Sequence, residues 1–167
     1  MSPARDRTAG DRWLTSAEHA AWIELRRLLL ALPSVLDART LQQSELTFFE
    51  YQILATLSDA VDGTARMSEL AQATSASLSR LSHAVSRLEA RGFVTRRRCA
   101  GVGRSSVASL TPAGRDKLVG AAPAHVASVR ALVLDGLTLD QLTALEAIAR
   151  RIADRLEAGS GETGCGS

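Results

Sequence analysis

The segment SLSRLSHAVSRLEARG, residues 77 to 92, constrains the fold more than any other stretch of the chain. Its apolar residues Leu78, Leu81, Val85 and Leu88 recur at the spacing of one face of an α-helix. At about 100° per residue, Arg80, His83 and Arg87 fall within about 60° of one another on nearly the opposite side. Ala76 and Ala84 flank that basic face, Ser77 lies near its edge, and Gly92 is placed to be the left-handed residue that ends the helix. Upstream, MSELAQAT reads as a short helix capped by Ser68, separated from the first segment by a break at Thr74 and Ser75. Downstream, FVTRRRC and SSVASL read as short strands joined by the turn AGVGR. The order is helix, turn, helix, ribbon.

The flanking sequence is helical. TSAE (Thr15 to Glu18) and TFFE (Thr47 to Glu50) fit capping boxes, and TLDQ (Thr138 to Gln141) uses the same device with Leu137 and Leu142 as a hydrophobic staple. The first helix carries Trp22, Leu25, Leu29 and Leu32, and Pro33 is expected to kink or restart it before a second stretch through about Gln43. Tyr51, Leu54 and Leu57 mark the next. Thr111 and Pro112 open a helix expected to run to about Asp135, bent at Pro123 and stopped by Gly136. In the last helix Leu142, Leu145, Ala149, Ile152 and Leu156 alternate steps of three and four, a seam for another helix. The fold class is mainly α with a small two- or three-stranded β element.

With 46% apolar and 23% charged residues the chain can build a core. Apolar runs such as Leu28 to Leu32 are far shorter than the roughly 20 residues of a membrane span, and no signal-like segment opens the chain, so a cytoplasmic location without membrane contact is expected. Cys99 and Cys165 are too few for a disulfide framework and read as reduced thiols. The net charge of +2 conceals an asymmetry: from Arg80 to Arg104 seven arginines face one acid, Glu89, leaving the rest of the chain net negative.

Such a density of like charge calls for a counter-charge, and duplex nucleic acid presents one about every 1.7 Å of axis. Small residues beside arginines on one helix face allow close approach to a major groove, where Arg pairs with guanine O6 and N7. Strand alternation sends Arg96 and Arg98 to one face of the ribbon and Arg97 with Cys99 to the other.

The stretches LTFFEYQILATLSDA, MSELAQATSASLSRLSHAVSRLEARGFVTRR and GRSSVASLTPAGR resemble the MarR family of winged helix-turn-helix transcriptional regulators, over about residues 15 to 157 and most specifically from Met67 to Gly114. The resemblance implies a winged helix-turn-helix with N- and C-terminal dimerisation helices. It divides the chain into a disordered N-terminus (1–12), dimerisation helices (13–45), a DNA-binding lobe (46–111), C-terminal dimerisation helices (112–157) and a flexible tail (158–167). It further implies a homodimer on a pseudo-palindromic duplex DNA operator, with repression relieved by a small aromatic ligand or by oxidation, and no enzymatic activity. Carried over by position, the recognition helix is about 76 to 91, with Ser77, Arg80, His83 and Arg87 as contacts, supported by Arg96, Arg97 and Arg98. The wing is about 99 to 105 with Arg104 at its tip. The acid that usually precedes this last arginine by two positions is Val102 here.

Cys99, beside three arginines, has the electropositive setting of a redox sensor, and equally the size to pack beneath a wing. His19, His83 and His125 are too scattered for a metal motif, and no metal or cofactor is expected. His125 with Trp22, Phe49 and Tyr51 forms a candidate effector set, the other reading being core packing. Two functions of different class stand beside DNA regulation: a thiol-based redox enzyme using Cys99, and a winged-helix module that binds protein.

Overall fold

The structure, a computed structural model, describes residues 13–98 and 106–161. Helix α1 (Ser16–Ser44) is followed by α2 (Phe48–Asp59), a 3-10 turn (Val61–Gly63), strand β1 (Thr64–Arg66), α3 (Met67–Ala73), α4 (Leu78–Ala90), β2 (Val94–Arg98), β3 (Ser106–Leu110), α5 (Pro112–Val129) and α6 (Leu139–Gly161). The mainly helical class is as expected, and the sheet has three strands in the order β1-β3-β2, all antiparallel.

Local chemistry sets most helix starts. The Thr15 and Glu18 box closes in both directions, at 3.3 and 2.8 Å, and the hydrogen bonds from Thr15 hold the Glu18 carboxyl below its ordinary pKa. The boxes at Thr47 with Glu50 (3.1 Å both ways) and Thr138 with Gln141 (2.9 and 3.3 Å) close likewise. Helix α3 differs from expectation: it begins at Met67, where Glu69 accepts the Arg66 N–H at 3.1 Å, so Ser68 lies inside the first turn and does not cap.

Neither proline interrupts its helix. Pro33 leaves the Leu29 carbonyl without its helical donor, but both residues are exposed, so water can satisfy the carbonyl, and α1 continues unbroken. Downstream of Pro33 the second half of α1 is anchored twice: Asp37 accepts the Phe48 N–H at 2.8 Å, and the Ser128 hydroxyl donates to Gln43 at 3.4 Å. Helix α5 likewise runs through Pro123 and then widens into a π-helical turn (Arg130–Leu134), closed by the Asp135 N–H on the Arg130 carbonyl at 2.9 Å. Pro112–Leu134 reaches a mean hydropathy of 1.3, long and apolar enough by composition to cross a membrane, which runs of consecutive apolar residues do not reveal. Within this fold it packs against α1 and α2, and buries Gly114, Ala121 and Ser128.

The core lies among α2, α3, α4 and the sheet. Ile53, Leu54, Leu57, Leu70, Leu81, Val85, Leu88 and Ala108 are fully buried there. On α4 the buried set is Leu81, Ala84, Val85 and Leu88, which moves Ala84 from the edge of the basic face into the core. Leu78 leaves the core at 58% exposed, because it is the first residue of the helix and overhangs the elements that cover the later turns.

The junction from sheet to α5 is tight. The Thr111 N–H donates to the Phe93 carbonyl (3.1 Å), its hydroxyl donates to the Gly92 carbonyl (2.7 Å), and the same oxygen accepts the Gly114 N–H (3.0 Å). A Cβ on Gly114 would lie 2.0 Å from the Phe93 carbonyl oxygen, so only glycine fits.

Candidate nucleic-acid interface

Two turns aim α4. At the end of α3, Ser75 adopts φ +50°, its N–H bonds the Gln72 carbonyl (3.0 Å), and the Ala76 N–H bonds the Ala71 carbonyl (2.9 Å). At the far end of α4, Gly92 at φ +76° and Phe93 repeat the pattern on Glu89 and Leu88, at 2.9 and 3.0 Å. Both are Schellman motifs, one built on the glycine the motif favours and one on a serine. The Ser77 hydroxyl accepts the Arg80 N–H at 3.2 Å, so this residue, expected as a DNA contact, shapes the helix start. Arg80, His83 and Arg87 all lie exposed on the side of α4 away from the core.

Most of the arginines are held by side chains distant in sequence. The Arg80 guanidinium sits over the Phe49 ring, 4.3 Å from its centroid. Arg87 Nε donates to Glu50 Oε1 at 2.8 Å, and Arg91 Nη1 approaches the same carboxylate at 3.8 Å while donating to the Glu45 carbonyl at 2.9 Å. In β2, Arg96 pairs in register with buried Ala108 and therefore lies on the core face of the sheet. It runs back along α4, 3.8 Å from Glu89 and 3.3 Å from the Ser82 hydroxyl. Arg97 and Arg98 are exposed and pair with no acid among the described residues. Arg104, the rest of the expected wing and Cys99 lie outside the described residues.

The effector set is only partly brought together. His125 on α5 stacks on Phe48, with ring centroids 5.7 Å apart, and meets Tyr51 at 4.2 Å with the rings tilted by 35°. Phe49 faces Arg80 instead, because neighbouring helical residues diverge by about 100°. Trp22 is elsewhere in this chain, beside Trp13 and His19 at the start of α1. Burial lowers the His125 pKa and raises that of Tyr51, and His125 Nδ1 is enclosed with no hydrogen-bond partner among the described residues. Among the described residues no cluster of His, Cys, Asp or Glu could hold a metal.

Sequence reasoning missed Phe48, Glu50, Ser82 and Glu89. For Glu50 a signal existed, since its capping box was legible, but a carboxylate has two oxygens and only one is needed to cap.

The MarR family model matches residues 44–105, from the end of α1 through β2 and beyond. A MarR family transcriptional regulator from Streptomyces coelicolor, solved in complex with DNA, superposes with a TM-score of 0.83 at 36% identity, over 89% of this chain and 92% of that one. The chain belongs to the MarR family. A second Streptomyces coelicolor member, AbsC, is 38% identical over 89% of this chain and 99% of its own, with a TM-score of 0.79. PcaV, from the same organism and solved with its natural ligand, shares the fold at 22% identity and a TM-score of 0.68, over 86% of this chain and 98% of its own. No curated protein matches the chain. As a MarR family member it is a DNA-binding transcriptional regulator with a winged helix fold, and the matched span contains the whole of α4 and its arginines.

Proposed function

We propose that the chain acts as a homodimeric, sequence-specific repressor in the cytoplasm, with α4 reading the major groove of a pseudo-palindromic operator. The observation that carries this reading is the outward face of α4, where Arg80, His83 and Arg87 stand exposed and two of the three are already oriented by α2. Arg97, Arg98 and Arg104 act on phosphates. The dimerisation role of the terminal helices is supported by large apolar side chains left exposed on them, including Leu30 on α1, Val126 on α5 and Ile148 on α6. Half-sites one turn apart place the two recognition helices about 34 to 36 Å apart.

Release by a small aromatic ligand is supported by the Phe48, Tyr51 and His125 cluster, where the enclosed His125 Nδ1 has no partner among the described residues. PcaV was solved with its natural ligand, and DNA binding by a Bordetella bronchiseptica relative, BpsR, is regulated by 6-hydroxynicotinic acid. The test is a binding titration at two salt concentrations against the duplex upstream of the chain's own gene and a scrambled duplex, with sedimentation to give the stoichiometry. Tight, salt-sensitive binding of one dimer to the upstream duplex alone supports an autoregulatory repressor. Equal weak binding to both duplexes removes the autoregulatory reading, and a monomer in sedimentation removes the dimer.

A further inference from the structure

The first turn of α2 meets the recognition helix through two side chains that have no place in reading DNA themselves. We propose that Phe49 and Glu50 are positioning residues for DNA binding, fixing the guanidinium groups of Arg80 and Arg87 before a duplex arrives. The proposal rests on the reading of α4 as the groove-facing helix.

Both anchors are buried. Phe49 belongs to the core cluster at 9% exposed, and the Glu50 side chain is 5% exposed with Oε2 held by the Thr47 N–H at 3.1 Å. What each anchor takes from its arginine is the part a base does not use. Glu50 Oε1 accepts from Nε of Arg87 at 2.8 Å, leaving both terminal amino groups on a side chain that stays 56% exposed. The Phe49 ring lies 4.3 Å from the Arg80 Cζ and holds the guanidinium by cation–π attraction, offering no oxygen or nitrogen acceptor to its N–H donors. The forked edge that pairs with guanine O6 and N7 is left available in both cases. A long, flexible side chain ordered in advance loses less freedom on binding, and the selectivity of its contact rises accordingly. The carboxylate does not repel the duplex, being enclosed and faced by two guanidinium groups, Arg87 at 2.8 Å and Arg91 at 3.8 Å.

The experiment uses the full chain and two duplexes: the sequence the wild-type protein enriches from a random pool, and a scrambled version of it. Glu50→Gln keeps an oxygen for the Thr47 N–H and removes the charge; Phe49→Leu keeps an apolar side chain and removes the ring. Each is expected to weaken binding to the enriched duplex by about five- to twentyfold and to the scrambled duplex by less than about twofold, in protein that still unfolds cooperatively above the assay temperature. In an Arg87→Ala background Glu50→Gln has no further effect, and in an Arg80→Ala background neither has Phe49→Leu. Should Glu50→Gln fail to fold, Glu50→Asp withdraws the charge by one methylene while remaining a carboxylate, and the same selective loss is expected. Wild-type affinity in these variants, equal losses on both duplexes, or losses that add fully to those of the arginine variants overturn the proposal. If Arg80→Ala and Arg87→Ala themselves leave the enriched duplex bound as before, α4 is not the reading helix, and positioning falls with that reading.

Discussion

The arginines of α4 and those of β2 carry the same group under opposite conditions. Arg80 and Arg87 are held by an aromatic ring and a buried carboxylate of α2, whereas Arg97 and Arg98, on the strand that follows, pair with no acid among the described residues. A guanidinium fixed in space suits a base edge, whose pattern must be met in one geometry; a free one suits phosphates, which recur along the backbone in every sequence. Arg96 stands between the two groups, on the strand but tied to α4 through Glu89 and Ser82. The difference teaches that a cluster of arginines in a sequence is not one feature. Its members are sorted by what the rest of the fold places beside them.

Severing the strand from the helices is the most drastic way to sharpen this comparison. Gly114→Ala puts a methyl 2.0 Å from the Phe93 carbonyl at the root of β2, and is expected to destabilise the chain by about 3 kcal/mol in thermal unfolding. Gly120→Ala, on the same helix with nothing within 4 Å, is the control and should stabilise by up to about 1 kcal/mol.

The comparison breaks if the two sets of arginines behave alike on DNA. Arg80→Ala or Arg87→Ala should cost about 1 to 3 kcal/mol on the preferred duplex and relax its sequence preference, while Arg97→Ala or Arg98→Ala should weaken all duplexes equally and reduce the salt slope by about one. Matched salt titrations on preferred and scrambled duplex separate the two patterns, and identical patterns would dissolve the distinction.

A smaller effect concerns the turn that launches α4. Ser75 bears a side chain at φ +50° where Gly92 closes the other end without one. Ser75→Gly should therefore stabilise by up to about 1 kcal/mol, the relief of left-handed strain less the added freedom of the unfolded glycine. Denaturant unfolding reads this directly, with binding unchanged.

The smallest is the pH dependence carried by His125. Burial lowers its pKa in the folded chain, so the unfolded state binds the proton more readily. The stabilisation is complete above the unfolded value near about pH 6.5 and falls as the pH drops through the lowered folded value. His125→Phe should flatten that part of the curve, measured as urea midpoints at about pH 7.5 and about pH 5.5.

Much of this architecture was legible because it is local. A threonine followed three residues later by a glutamate or glutamine marks a helix start within four positions, and Gly92 marked an end in the same way. Legibility failed where the answer depends on distant neighbours. Periodicity assigned Leu78 to the core because a pattern does not know where the covering elements stop. It could not tell Phe48 from Phe49, since which of two adjacent rings meets α5 depends on how α2 is rotated in the fold. The bond from Arg87 to Glu50 spans 37 residues, and nothing in either segment announces the other. Strand β1, three residues long, is too short for alternation to register and exists because β3 offers it an edge.

Thr111 ties the end of α4, the first residues of the ribbon and the first turn of α5 at one point. The hairpin is thereby stapled at its base, and the base owes nothing to the segment that joins β2 to β3. Root and tip become separable in descent: the sequence between the two strands is free to change, while the ribbon's point of departure from the body stays where one threonine keeps it.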